Sequence, residues 1–215
     1  MTDITECILI NIEEFNSESK SNKTVVFIPG YLKANHWNES EYGKRLGILT
    51  SISSKAKVLA VTFNEDIYRY SIPEICSKLT DKLSVYDSLC IVAHSYGCFV
   101  GLQLATVDKL KIRSLLLLDP ITVNDKYFNY INTTNDKYSS YKITHYDLLP
   151  KPLQLKIAVS IILSYIEDLG VSIKYFEPLV KYNTLSSIEV CFCSHMIHYD
   201  HPEKIIHKIG CLLKS

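Results

Sequence analysis

The sequence predicts an α/β fold with a mostly parallel central sheet flanked by helices and one inserted segment. Three observations carry this prediction. Four short runs, Val25-Val26-Phe27-Ile28, Val58-Leu59-Ala60-Val61, Leu89-Cys90-Ile91-Val92 and Leu115-Leu116-Leu117-Leu118, are apolar at every position. Strands covered on both faces read this way, and such strands belong to parallel sheets. Stretches with helical spacing separate the runs, so strands and helices alternate. The third run ends in Ala93-His94-Ser95-Tyr96-Gly97, where a serine with small residues two positions before and two after it stands at the change from a strand pattern to a helix pattern.

Residues 7–15 alternate weakly and lead through the polar turn Asn16-Ser17-Glu18-Ser19-Lys20-Ser21-Asn22 into the first apolar run. This predicts an opening hairpin feeding an inner strand. A helix over about 39–54 is expected before the second run and another over about 72–85 before the third. Phe99, Val100, Leu102, Leu104 and Ala105 then recur at near-helical spacing before the fourth. After Asp119-Pro120 the rhythm breaks. Residues 123–146 mix Asn, Asp, Lys and Tyr with little periodicity, and 152–182 predict two helices interrupted near Gly170 and Pro178. The insertion is therefore placed at about 121–186, within one domain covering 1–215. Its most apolar stretch, Ile157-Ala158-Val159-Ser160-Ile161-Ile162-Leu163, predicts a helix buried against protein or ligand. The stretch is well short of the roughly 20 apolar residues of a membrane span, so no transmembrane segment is expected. The sheet is expected to resume at Ile188-Glu189-Val190-Cys191-Phe192, with a closing helix from about Pro202 to Leu213.

Lys plus Arg and Asp plus Glu both number 23, so the formal net charge is zero. That balance argues against nucleic acid as a partner. The seven cysteines include no C-x-x-C pair; Cys191 and Cys193 stand two apart on an apparent strand, and Cys90 and Cys98 flank the serine turn. Buried reduced thiols are expected. Together with an N-terminus, Met1-Thr2-Asp3-Ile4-Thr5-Glu6, that lacks a basic start and an apolar core, they imply a cytoplasmic location. Nothing in the sequence specifies an oligomeric state.

The serine turn has the layout of a nucleophile elbow. On such a turn the serine takes strained backbone angles, tolerated where its neighbours lack bulk, and its Oγ stands above the sheet edge. A serine hydroxyl is a weak nucleophile at neutral pH, so the turn implies chemistry only with a histidine to take its proton and an acid to hold that histidine. Of the seven histidines, His195 follows the last apolar strand. Asp119 ends the Leu115–Leu118 run, at the strand end where α/β sheets gather functional groups. Asp168, in Glu167-Asp168-Leu169-Gly170, and Asp147, near His145, are the alternative acids.

The segment Ser194-His195-Met196-Ile197-His198-Tyr199-Asp200-His201-Pro202-Glu203-Lys204-Ile205 resembles the C-terminal signature of α/β-hydrolases, in which a catalytic histidine precedes a few apolar residues and a Pro-Glu that opens the last helix. The resemblance makes His195 the base and Ser95 the nucleophile, in the chain order Ser, acid, His. His198 is then a packing residue, while Asp200 and His201 are expected to cap the terminal helix. The family usually has Gly where Ser194 stands. Ile28-Pro29-Gly30-Tyr31-Leu32-Lys33-Ala34-Asn35-His36-Trp37 is similar to the family's oxyanion loop, with Pro29 in place of a common His. The resemblance thus assigns the oxyanion hole to the backbone amides of Tyr31 and Tyr96. It also implies that the insertion forms a helical cap over the site, and that no metal or organic cofactor is needed.

The expected activity is hydrolysis of a small-molecule ester or thioester through an acyl-Ser95 intermediate. An acyltransferase using the same three residues is the alternative within catalysis. A non-catalytic binding protein on the same fold is the alternative from another class.

Overall fold

The computed structural model describes residues 10–15, 19, 21–30, 47–63, 67, 70–120, 155–165, 169–181 and 186–214. Seven strands form one sheet: β1 (Ile10–Phe15), β2 (Thr24–Ile28), β3 (Lys57–Phe63), β4 (Leu89–His94), β5 (Ile112–Leu118), β6 (Ala158–Ser164) and β7 (Ser187–Cys191). Their order across the sheet is β1-β3-β2-β4-β5-β6-β7, with β1 antiparallel to β3 and every other pairing parallel. The described helices are α1 (residues 47–53), α2 (Ile72–Leu83), α3 (Gly97–Leu104), α4 (Leu169–Lys181), α5 (Ile197–Asp200) and α6 (Pro202–Leu212).

The period of two along each strand divides its apolar residues between two cores. Val26, Leu59, Ile91, Leu115, Leu117 and Ile161 meet α2, α3 and α4 through Ile75, Leu79, Phe99, Leu102, Phe176 and Leu179. Val25, Val58, Val92, Leu116 and Ile162 meet α1 and α6 through Ile48, Ile52, Ile205 and Ile209. Helices on both faces explain why the strands carry no polar alternation. Helix α2 is delimited by a capping box, in which Ser71 Oγ accepts from Glu74 N–H at 3.4 Å and Glu74 Oε2 accepts from Ser71 N–H at 2.7 Å.

Three expectations are corrected. β1 forms no hairpin with β2 and pairs instead with β3, from Ile10 opposite Phe63 to Phe15 opposite Val58. β2 is buried on both sides and takes parallel neighbours, β3 and β4, on both edges. The half-exposed β1 suits the sheet's rim. Second, the apolar stretch read as a helix at 157–163 is strand β6, buried at all seven positions and paired with β5 and β7. A short, wholly apolar run has no period to separate strand from helix, and the β-branched Val159, Ile161 and Ile162 favour the strand. The sheet therefore resumes at Ala158 rather than Ile188, so 158–164 belong to the sheet rather than to the insertion. Third, a single helix, α4, runs through Gly170 and Pro178, where two interrupted helices were expected. Of the rest of the expected cap, α4 also packs on the sheet through Phe176 and Leu179, and residues 121–154, 166–168 and 182–185 lie outside the described residues.

Candidate active site

Ser95 follows β4 directly. Its φ is 52°, and its N–H donates to the Leu118 carbonyl at 2.9 Å. A left-handed conformation costs a non-glycine residue roughly 1–2 kcal/mol, so the surrounding packing must hold it. Gly97 supplies that packing: a Cβ there would lie 2.4 Å from the Pro29 carbonyl oxygen, a contact no other residue could make without displacing the end of β2. Gly30 is equally confined, since its Cβ would sit 2.9 Å from both His94 Nδ1 and Ser95 Cβ. The two glycines therefore let the chain after β2 lie against the serine turn.

Asp119 stands in the same place on β5. Its φ is 43°, its N–H donates to the Ile162 carbonyl at 2.7 Å, and its residue is 3% exposed. His195, from the loop after β7, bridges the two. Its Nδ1 lies 2.5 Å from Asp119 Oδ2 and its Nε2 lies 2.9 Å from Ser95 Oγ. An ionised carboxylate only accepts, so Nδ1 carries the proton and Nε2 is the bare nitrogen facing the serine hydroxyl. Burial pushes the Asp119 carboxyl up, but hydrogen bonds from His195 and from the Ser164 hydroxyl and amide outweigh it and hold the carboxyl below the usual 3.8. Ser164 donates through Oγ to Oδ2 at 2.5 Å and through N–H to Oδ1 at 2.8 Å. The structure thus brings Ser95, His195 and Asp119 into one hydrogen-bonded series, and Asp168 and Asp147 lie outside the described residues.

Two contacts hold the histidine loop itself. His94 Nε2–H donates to the His195 carbonyl at 2.9 Å, and its ring packs tilted against the His195 ring, with centroids 4.8 Å apart, and edge-on to that of buried His198 at 4.7 Å. Asp200 Oδ2 accepts from Ser194 N–H at 2.7 Å. This corrects the expected capping role, because Asp200 ties the loop back on itself, and His201, the N-cap residue of α6, makes no side-chain capping bond.

Sequence reasoning missed Ser164 because its strand was read as a helix. It also passed over His94, whose only signal was its place beside the serine. Tyr96 is the N-cap residue of α3, which sets its amide at a helix N-terminus, where partial positive charge gathers. Tyr31 lies outside the described residues. Among the described residues, a small apolar cavity of about 50 Å³ is walled by Phe27, Ile48, Val92, His94, Leu118 and His198, and neither Ser95 nor His195 is among its walls.

Cys76 and Cys90 carry no sign of reactivity, since burial pushes their thiols up to about 12 and about 11. Cys98, buried behind the elbow, donates to the Ala93 carbonyl at 3.2 Å. Among the described residues no helix is long and apolar enough to cross a membrane.

The chain has the α/β-hydrolase fold, with a serine, a histidine and an aspartate in hydrogen-bonded series at the carboxyl edge of its sheet. Among solved structures, it is similar to the enol-lactonase from Burkholderia xenovorans LB400, with a TM-score of 0.69, 12% identity and 96% of each chain covered. It is similar to MenH from S. aureus, with a TM-score of 0.67 and 14% identity over 94% of this chain and 97% of that one. The Pyrococcus furiosus esterase Pf2001 gives a TM-score of 0.67 and 16% identity over 96% and 92%. No protein-family model and no curated protein matches the sequence.

Proposed function

We propose that this protein is a serine hydrolase that cleaves a carboxylic ester or thioester through an acyl-Ser95 intermediate. The observation that carries this reading is the unbroken series Ser95 Oγ, His195 Nε2, His195 Nδ1 and Asp119 Oδ2. Ser95 Oγ attacks the carbonyl carbon while its proton passes to His195 Nε2. The buried Asp119 carboxylate stabilises the imidazolium that forms. Negative charge then gathers on the carbonyl oxygen, where the Tyr96 amide, and the Tyr31 amide assigned by resemblance, donate to it; one such donor is worth about 2.7–4 kcal/mol of barrier. His195 next protonates the departing alkoxide or thiolate. In the second half-reaction it takes a proton from water, whose oxygen attacks the acyl carbon and frees Ser95.

The fold alone does not select this function. Support comes from three chemically complementary groups arriving after three separate strands, two of them, Ser95 and Asp119, in a left-handed conformation that costs energy to keep. The test is labelling with a serine-directed fluorophosphonate. Wild-type protein should be labelled stoichiometrically and Ser95→Ala not at all; an unlabelled wild type, or equal labelling of Ser95→Ala, overturns the reading. Product analysis in the presence of alcohols separates hydrolysis from acyl transfer.

A further inference from the structure

Beside the serine site, the described residues bring together a second set of chemically potent side chains. Cys191 ends β7, Cys193 lies two residues further on, and His201 precedes α6. One ligand atom from each, the two Sγ atoms and a ring nitrogen, lie within 4.8 Å of one another. Phe192, between the cysteines, is 80% exposed, and Cys193 N–H donates to the Cys191 carbonyl at 3.0 Å, so a tight turn just after β7 carries the second thiol back beside the first. Neither thiol is in a disulfide.

Zinc bonds to sulfur at about 2.3 Å and to imidazole nitrogen at about 2.0–2.1 Å, which sets tetrahedral ligand atoms roughly 3.5–3.8 Å apart. The observed cluster reaches that spacing by closing about 1 Å. Thiolate and imidazole donors together select Zn²⁺ over the oxygen-seeking Mg²⁺ and Ca²⁺. The second shell fits a metal-bound histidine as well: Glu203 Oε1 lies 3.5 Å from His201 Nδ1, offering the carboxylate partner that orients such a ring.

We propose that Cys191, Cys193 and His201 form a three-ligand Zn²⁺ site with its fourth position open to water. Binding forms two Zn–S bonds and one Zn–N bond, and the two thiol protons leave to solvent. The ligands stand on either side of His195 in the chain, so bound metal ties together both ends of the loop that presents it. This inference is independent of the acyl-transfer reading, because its readout is metal binding.

The experiment is titration of the reduced full-length chain with Co²⁺, followed by Zn²⁺ displacement. One equivalent of Co²⁺ should give thiolate-to-cobalt charge-transfer absorption that Zn²⁺ abolishes. Cys193→Ser and His201→Ala should each weaken binding by about tenfold or more. Cys211→Ser removes an exposed thiol 3.7 Å from His207 Nε2 and should leave binding unchanged. In wild type, Zn²⁺ should protect Cys193 from iodoacetamide, read by mass spectrometry, and this measurement decides the question if the variants fail to fold. Absence of the charge-transfer band, binding that follows Cys211 instead of Cys193, or alkylation of Cys193 at an unchanged rate with Zn²⁺ would each overturn the site.

Discussion

Ser95 and Asp119 occupy equivalent positions on neighbouring strands: His94 and Leu118 are paired in register, and the next residue of each strand turns to positive φ, 52° and 43°. Both amides remain bonded to the next strand across, Ser95 to Leu118 and Asp119 to Ile162. The two side chains therefore leave the sheet edge side by side, at a separation one imidazole can span.

Asp119→Asn tests the acid. An asparagine amide can donate to Nδ1, which would move the imidazole proton to Nε2 and remove the acceptor from Ser95. We expect kcat for an activated ester to fall by about 10⁴-fold with the fold intact. Unchanged turnover would move the search to Asp168 and Asp147.

Ser164→Ala removes the 2.5 Å hydroxyl bond to a carboxylate that is 3% exposed. Hydrogen bonds to charged groups contribute about 1.5–3 kcal/mol, and a loss of that order is expected in urea unfolding at pH 7. The Asp119 carboxyl is held below its ordinary 3.8 in the folded chain. Its contribution to stability is thus complete above the unfolded value and disappears as pH falls through the folded one. The gap between wild type and Ser164→Ala should narrow in acid; a gap that is constant with pH would count against an ionised Asp119.

His94→Phe keeps a ring between His195 and His198 but removes the donor to the His195 carbonyl. We expect kcat to drop about tenfold, with KM little changed, and His94→Gln to recover most of the loss. Equal kinetics for wild type and His94→Phe would reduce His94 to packing.

Gly97→Ala and Gly101→Ala separate contact from helix propensity. Alanine favours a helix by about 1 kcal/mol at either site. At Gly97, however, the new methyl meets the Pro29 carbonyl at 2.4 Å, whereas at Gly101 it meets Ala93 Cβ and Ile91 Cγ2 at 3.3 Å. We expect Gly97→Ala to lower stability by about 1–3 kcal/mol and to slow acylation, and Gly101→Ala to be milder in both. Thermal melts and labelling rates measure the two effects; the reverse order would argue against the close approach of β2 to the elbow.

The sequence by itself determined the inner strands β2 to β5, their alternation with helices and the serine at the end of β4, because each is a local pattern with its own composition or turn chemistry. It also singled out His195, whose neighbours match a linear signature. Tertiary structure decided what depends on pairing between distant residues. β6 reads alike as strand or helix until β5 and β7 hydrogen-bond to it, and β1 finds β3 rather than the nearer β2 because only β3 offers an open edge. The acid was the clearest case: Asp119 was one carboxylate among several until register set it beside Ser95 and strand β6 brought Ser164 to hold it. The meeting of Cys191, Cys193 and His201 was equally invisible, since their approach depends on how the chain turns after β7.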